Sequence, residues 1–125
     1  MNVVGIRGAI VANENTAEAI TDAAARLVRA LMSDNGLEPS NVISMFFTMT
    51  PDLDAAFPAT AAREICGPRV PLLCASEIAV PGALERVIRV LVHAYYPPGR
   101  GNVVHTYIDE AKFLRPDLKS TGENQ

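Results

Sequence analysis

The sequence predicts an α+β domain built on a single sheet, and three observations lead there. The chain has 125 residues, enough for one hydrophobic core and too few for a second. Short β-branched runs recur along it, and two Ala-rich segments at helical spacing interrupt them.

Val3 to Val11 is β-branched, bounded by Asn13-Glu14-Asn15, and reads as a strand. Asn15 with Glu18 three residues on gives a capping-box-like start to an Ala/Leu-rich helix running to Ser33. Within it Ile20, Ala24, Leu27, Val28 and Leu31 share one face, and Gly36 supplies the stop. Glu38-Pro39-Ser40-Asn41 is a turn, and Val42 to Met49 is a buried-looking strand ended by Thr50-Pro51-Asp52. Phe57-Pro58-Ala59 opens a short helix with proline in its first turn, closed by Gly67-Pro68. Val70 to Ala75 is a third strand. Leu84 to Tyr95 satisfies both periods: Leu84, Val87, Ile88, Leu91, Val92 and Tyr95 fit a helix, whereas Val87 to Val92 is β-branched enough for a strand. Pro97 to Gly101 is a loop, Val103 to Phe113 reads as the last strand, and Leu118 to Gln125 is a polar, frayed end. No internal repeat is present.

Composition narrows the partners. Hydrophobic residues make up 49% and charged residues 20%, with a mean hydropathy of +0.15. That is too apolar for disorder and high for a small monomer, which suggests apolar surface buried against another copy. The formal charge of −3 offers no basic excess for nucleic acid. The N-terminus lacks the pattern of a secretory signal, and Glu85, Arg86 and Arg89 break the longest candidate membrane span. Cys66 and Cys74 form no CxxC, so a cytoplasmic protein with reduced thiols is expected.

Several chemistries find no support. Nothing resembles a GxGxxG turn, a P-loop or a GxSxG elbow, and His93 and His105 have no partner at metal-ligand spacing, so neither metal nor cofactor is expected. Cys74 is a possible nucleophile, but a strand cysteine also serves as a small hydrophobe. The arginines are more informative. Nine of the 11 cationic residues are Arg, a skew that fits either a GC-rich genome or a need for the planar guanidinium fork. Arg7 lies between glycines inside an apolar strand, Arg89 interrupts Val87 to Val92, Arg63 lies on the short helix and Arg115 follows Phe113-Leu114. If the segment around Arg89 is a strand, Arg89 shares a face with Leu91 and His93 while Ile88, Val90 and Val92 pack on the other. A cation placed so needs an anionic partner, either Glu77 or a ligand. Tyr107 is either a phenolic anchor or a packing aromatic.

Taken in order, Gly5-Ile6-Arg7-Gly8-Ala9, Thr50-Pro51-Asp52-Leu53, Ala56-Phe57-Pro58-Ala59 and Ala62-Arg63-Glu64 form a pattern. Val70-Pro71-Leu72-Leu73-Cys74 with Glu77, Ile88-Arg89-Val90 and Leu114-Arg115-Pro116-Asp117-Leu118 extend it. Together they resemble the monofunctional chorismate mutases of the trimeric α/β class, as distinct from the all-helical ones. The resemblance spans residues 3 to about 118. It implies one domain over 1–118 followed by a flexible tail over 119–125. It also implies a single mixed sheet with two main helices on one face, and a homotrimer whose sheets form a pseudo-α/β-barrel. Under it the segment around Arg89 is a strand.

The implied activity is the isomerisation of chorismate to prephenate in aromatic amino-acid biosynthesis, without a cofactor or a covalent intermediate, at clefts between subunits. By motif position Arg7, Glu77, Arg89 and Tyr107 are the polar contacts, with Cys74 beside them. Phe57, Ala59 and Arg63 form the wall from the neighbouring subunit. Leu72, Leu73, Ala75, Ser76, Leu114 and Arg115 line or close the site. The chain departs from the family at Thr60, where some members carry lysine, and at Leu73, where threonine is common. The competing expectation is a non-catalytic trimer that binds a small carboxylate in the same clefts. Arg26, Arg29, Arg69, Arg86 and Arg100 carry no assigned role and fit the genomic explanation.

Overall fold

A computed structural model describes residues 2–116. The expected tail over 119–125 lies outside the described residues, as do Asp117 and Leu118 of the last motif. The strands are β1 (Asn2–Val11), β2 (Val42–Met49), β3 (Leu72–Ser76), β4 (Val87–Tyr96) and β5 (Thr106–Tyr107), and the helices are α1 (Ala17–Asp34) and α2 (Ala59–Cys66). They form one mixed sheet in the order β3-β2-β4-β1-β5. β4 runs antiparallel to both β1 and β2, while the outer pairs β2–β3 and β1–β5 are parallel. The segment that fits both periods is therefore a central strand, where β-branched side chains suit a pleated surface.

Both helices cover one face. Ile20, Leu27, Val28 and Leu31 of α1 and Ala59, Ala62 and Cys66 of α2 form a single cluster with Ile6, Ile10, Met45, Phe47, Ile88, Val90 and Val92 of the sheet. Gly8 lies beneath α1, where an added Cβ would come within 3.0 Å of Leu27 Cδ1 and 3.1 Å of Leu31 Cδ1. The glycine lets the helix approach the strand closely.

The helix ends differ from expectation at one terminus and match at the other. Thr16, not Asn15, caps α1, its hydroxyl accepting from the Ala19 amide at 3.1 Å. The Asn15 side chain instead accepts from the amides of Asp54 and Ala55 and so ties the loop before α2 to the start of α1. At the other end Gly36, at φ +61°, forms a Schellman turn: its amide reaches Ser33 O and that of Leu37 reaches Met32 O. Pro58 stands at the N-cap of α2, one position before the first turn.

Two strand expectations are corrected. β3 is shifted to Leu72–Ser76 because its pairing is set by β2, from Met45↔Leu72 to Met49↔Ser76. The expected strand from Val103 to Phe113 is only two residues long. After Tyr107 the amide of Ile108 still reaches Ala9 O, but Asp109 turns to φ +54° and the helix-favouring run Asp109–Leu114 forms a 3-10 helix.

Candidate active site

The face of the sheet opposite the helices carries the chemistry. Along β4, Ile88, Val90, Val92 and Ala94 are buried under the helices, while Arg89, Leu91, His93 and Tyr95 stand on the open side. Register decides which side chains meet them. Thr48 of β2 and Ala9 of β1 flank Arg89, Phe46 and Arg7 flank Leu91, and Tyr107 pairs with Ala9 one strand further out. Arg7, Phe46, Thr48, Arg89, Leu91 and Tyr107 thereby surround a groove of about 250 Å³.

Glu77 closes one end of it. Its amide continues the sheet by donating to Met49 O at 2.8 Å. One carboxylate oxygen, Oε2, accepts from Thr48 Oγ1 at 2.8 Å and forms an ion pair with Arg89 Nε at 3.2 Å. The carboxylate is the more buried partner, with 16% side-chain exposure against 44% for Arg89. The Thr48 bond anchors the carboxylate, the ion pair ties the guanidinium to the same oxygen, and Oε1 lies outside both.

His105 bonds the backbone of a residue that lines the groove. The Arg7 amide donates to its Nδ1 at 3.0 Å, which requires the neutral imidazole with the proton on Nε2. Burial, then the positive charges of Arg7 and Arg115, holds its pKa below the usual 6.5. The neutral form is thus favoured by both geometry and charge.

The residues named from sequence fall into two groups on one chain. Arg7, Arg89 and Tyr107 line the first groove, with Glu77 bonded to Arg89. Phe57, Cys74, Ala75 and Ser76 line a second groove of about 420 Å³, which shares no residue with the first. Cys74 pairs with the buried Phe47 and packs toward the helices, so it does not stand beside Arg89 within one chain. Leu72 also faces the core, and Ala59 is buried in it. Leu73 points to the open face and is 65% exposed, and Phe57 is 71% exposed. Arg63 is exposed on α2, while Leu114 packs against the small cluster containing Tyr107 and Arg115 is half-buried.

Thr48 and Phe46 were missed by sequence reasoning, whereas Leu91 was expected on the face of Arg89. Both look like ordinary strand residues, and only the pairing of β2 with β4 brings them to Leu91 and Arg89. Three arginines without an assigned role have one here. Arg26 pairs with Asp109 at 2.9 Å, Arg86 Nε donates to Ala12 O at 3.0 Å and Arg100 Nη2 donates to Asp34 O at 2.8 Å.

Fold and groove together define a small α+β protein with a groove lined by Arg7 and Arg89 on the uncovered side of its sheet. The chorismate mutase type I family matches residues 3–118. A protein of Thermus thermophilus called chorismate mutase AroH is 48% identical over 119 residues, covering 94% of this chain and 98% of its own. One of the same name from Bacillus subtilis (strain 168) is 36% identical over 122 residues, covering 97% and 96%. Among solved structures, a chorismate mutase from Clostridium thermocellum superposes with a TM-score of 0.84 at 42% identity, over 89% of this chain and 99% of that one. The chain belongs to the chorismate mutase type I family.

Proposed function

We propose that the protein is an isomerase that converts chorismate to prephenate, with its working site in the Arg89 groove. The observation that carries this is the guanidinium of Arg89, paired with Glu77, which Thr48 anchors, in a groove that also contains Arg7 and Tyr107. Chorismate is a dicarboxylate with an enol ether, and its rearrangement is intramolecular. The protein has two things to do. It must hold the compact conformer in which the reacting carbons meet, and it must stabilise negative charge growing on the breaking ether oxygen.

Arg89 is the fixed cation for that oxygen: Glu77 occupies its Nε, and the two terminal nitrogens remain for the ligand. Arg7 and Tyr107 hold a carboxylate, and Oε1 of Glu77 accepts from the ring hydroxyl. No group needs to give up a proton or form a bond to the substrate. Cys74 acts as a wall residue rather than a nucleophile.

The assembled site is shared between subunits of a homotrimer. Two features support that reading. The Phe57–Cys74 groove and the Arg89 groove are separate on one chain, so association brings the first of one copy to the second of the next. The open face also exposes Val3, Phe46, Leu73, Leu91 and Tyr95, an apolar area that a pseudo-barrel would bury. In the trimer Phe57 presses on the apolar side of the substrate, while Arg63 and Arg115 attract the dianion at the rim. Residues 1–118 act as one domain, and the protein works in the cytoplasm. No described helix is long and apolar enough to cross a membrane.

The test is direct: purified protein is added to chorismate and the ultraviolet absorbance is followed. Decay well above the spontaneous rate is expected, and decay at the spontaneous rate would leave only a carboxylate-binding protein.

A further inference from the structure

Tyr107 stands in the groove on the weakest element of the sheet. β5 is two residues long, and the segment from Pro97 to His105 that leads to it has no regular structure. Two ladder pairs with β1 cannot fix a strand alone. Beside the Arg7 amide bond to His105 and the packing of Tyr107 on Ala9 and Val87, a further hold comes from the end of α1, through Asn35, whose side chain is completely buried. Its Nδ2 donates to Leu31 O at 2.8 Å and to Val104 O at 2.9 Å, while its Oδ1 accepts from Val104 N at 2.8 Å. The amide thus pairs in both directions with the backbone of Val104, as a neighbouring strand would. The Tyr96 hydroxyl lies 2.9 Å from Oδ1 and 3.1 Å from Asn102 O, sharing one proton between them. Every donor and acceptor of Asn35 is engaged. Next to it, Asp34 Oδ2 accepts from Thr106 Oγ1 at 2.9 Å.

We propose that Asn35, with Tyr96, is a positioning residue that sets where Tyr107 stands against the ligand, although neither belongs to the groove. The inference rests on the reading of that groove as the chorismate site. Thr106 is tied toward α1 and Tyr107, on the opposite face, is turned toward Arg7 and Arg89. Loosening the Asn35 clamp lets β5 shift along β1 and withdraws the phenol without changing any residue that touches the substrate.

The test combines Tyr96→Phe, which removes one hydroxyl from a site that keeps its shape, with Asn35→Asp, which removes both donors, and Tyr107→Phe. Tyr96→Phe raises KM for chorismate by about fivefold, on the scale of one lost buried hydrogen bond, with kcat within about twofold. Combined with Tyr107→Phe it adds nothing further to KM, whereas the losses in urea midpoint still add. Additive KM effects, or a destabilised Tyr96→Phe with native KM, would overturn the proposal. Amide exchange gives an independent arm, because the Ile108 amide reports directly on β5 through its bond to Ala9 O. It exchanges about tenfold faster in Tyr96→Phe and faster still in Asn35→Asp, and unchanged exchange overturns the clamp. A native KM in Tyr107→Phe alone would instead remove Tyr107 from the ligand site, and the exchange result would still decide whether Asn35 holds β5.

Discussion

The two faces of one sheet divide the work, and the adjacent pair Phe46 and Phe47 shows how. Phe47 is fully buried beneath the helices, while Phe46, one residue earlier, is 40% exposed on the face with the arginines. The same alternation runs along β4, where Ile88 and Val90 build the core on either side of Arg89. Stability and chemistry therefore lie on opposite sides of the same strands, and a one-residue slip in register would exchange them. The covered face is complete within one chain. The open face instead presents arginines, a phenol and uncovered apolar side chains together.

The largest contrast comes from truncating each phenylalanine. Phe47→Ala empties a full aromatic volume from the core and should cost about 3–5 kcal/mol in urea unfolding. Phe46→Glu should leave the chain folded but place a charge in the proposed intersubunit core. Sedimentation equilibrium should then show monomers, with turnover lost; a trimer of native activity would break the division between the faces. Gly8→Ala, a smaller change, adds one methyl beneath Leu27 and Leu31 and should cost about 1–3 kcal/mol, read as a lowered melting temperature with KM little altered.

pH sharpens the comparison further. His105 has its folded pKa held below 6.5, so its neutral form stabilises the fold fully above that value. As pH falls from about 6.5 toward the depressed folded pKa, the unfolded chain takes up the proton first and that contribution is lost. Protonation also ends the Arg7 amide bond to Nδ1. His105→Asn, whose side-chain oxygen can accept the same bond without titrating, should flatten this acid-side loss of stability; an unchanged profile would contradict it. The smallest effect belongs to Cys74→Ser, which should keep kcat within about twofold because the thiol forms no bond to the substrate.

How much of this was legible in the sequence follows from the same division. β1, β2 and α1 announce themselves through apolar runs bounded by polar turns, because one face of each is buried. β4 satisfies two periods at once, and its strand character comes from pairing with both β1 and β2, a tertiary fact; only the family resemblance indicated it beforehand. β5 was overextended because its apolar residues Val103, Tyr107 and Ile108 read as a strand, whereas the turn of Asp109 to φ +54° into a 3-10 helix is set by the backbone and leaves no pattern in the sequence. In the site, Arg7 and Arg89 were conspicuous as charges inside apolar strands. Thr48 was invisible, since its role depends on facing Arg89 across the β2–β4 register. Cys74 was placed beside the arginines by its motif, yet within one chain its side chain points to the other face.

The central claim is that a fixed positive charge at Arg89 speeds the rearrangement, and replacing Arg89 by citrulline tests it most directly. The substitution keeps the shape and most of the hydrogen-bonding hydrogens while removing the charge. The account predicts a fall in kcat of about 100- to 1,000-fold, with KM much less affected and the unfolding transition close to that of the parent protein. A near-native kcat in the citrulline variant would contradict it.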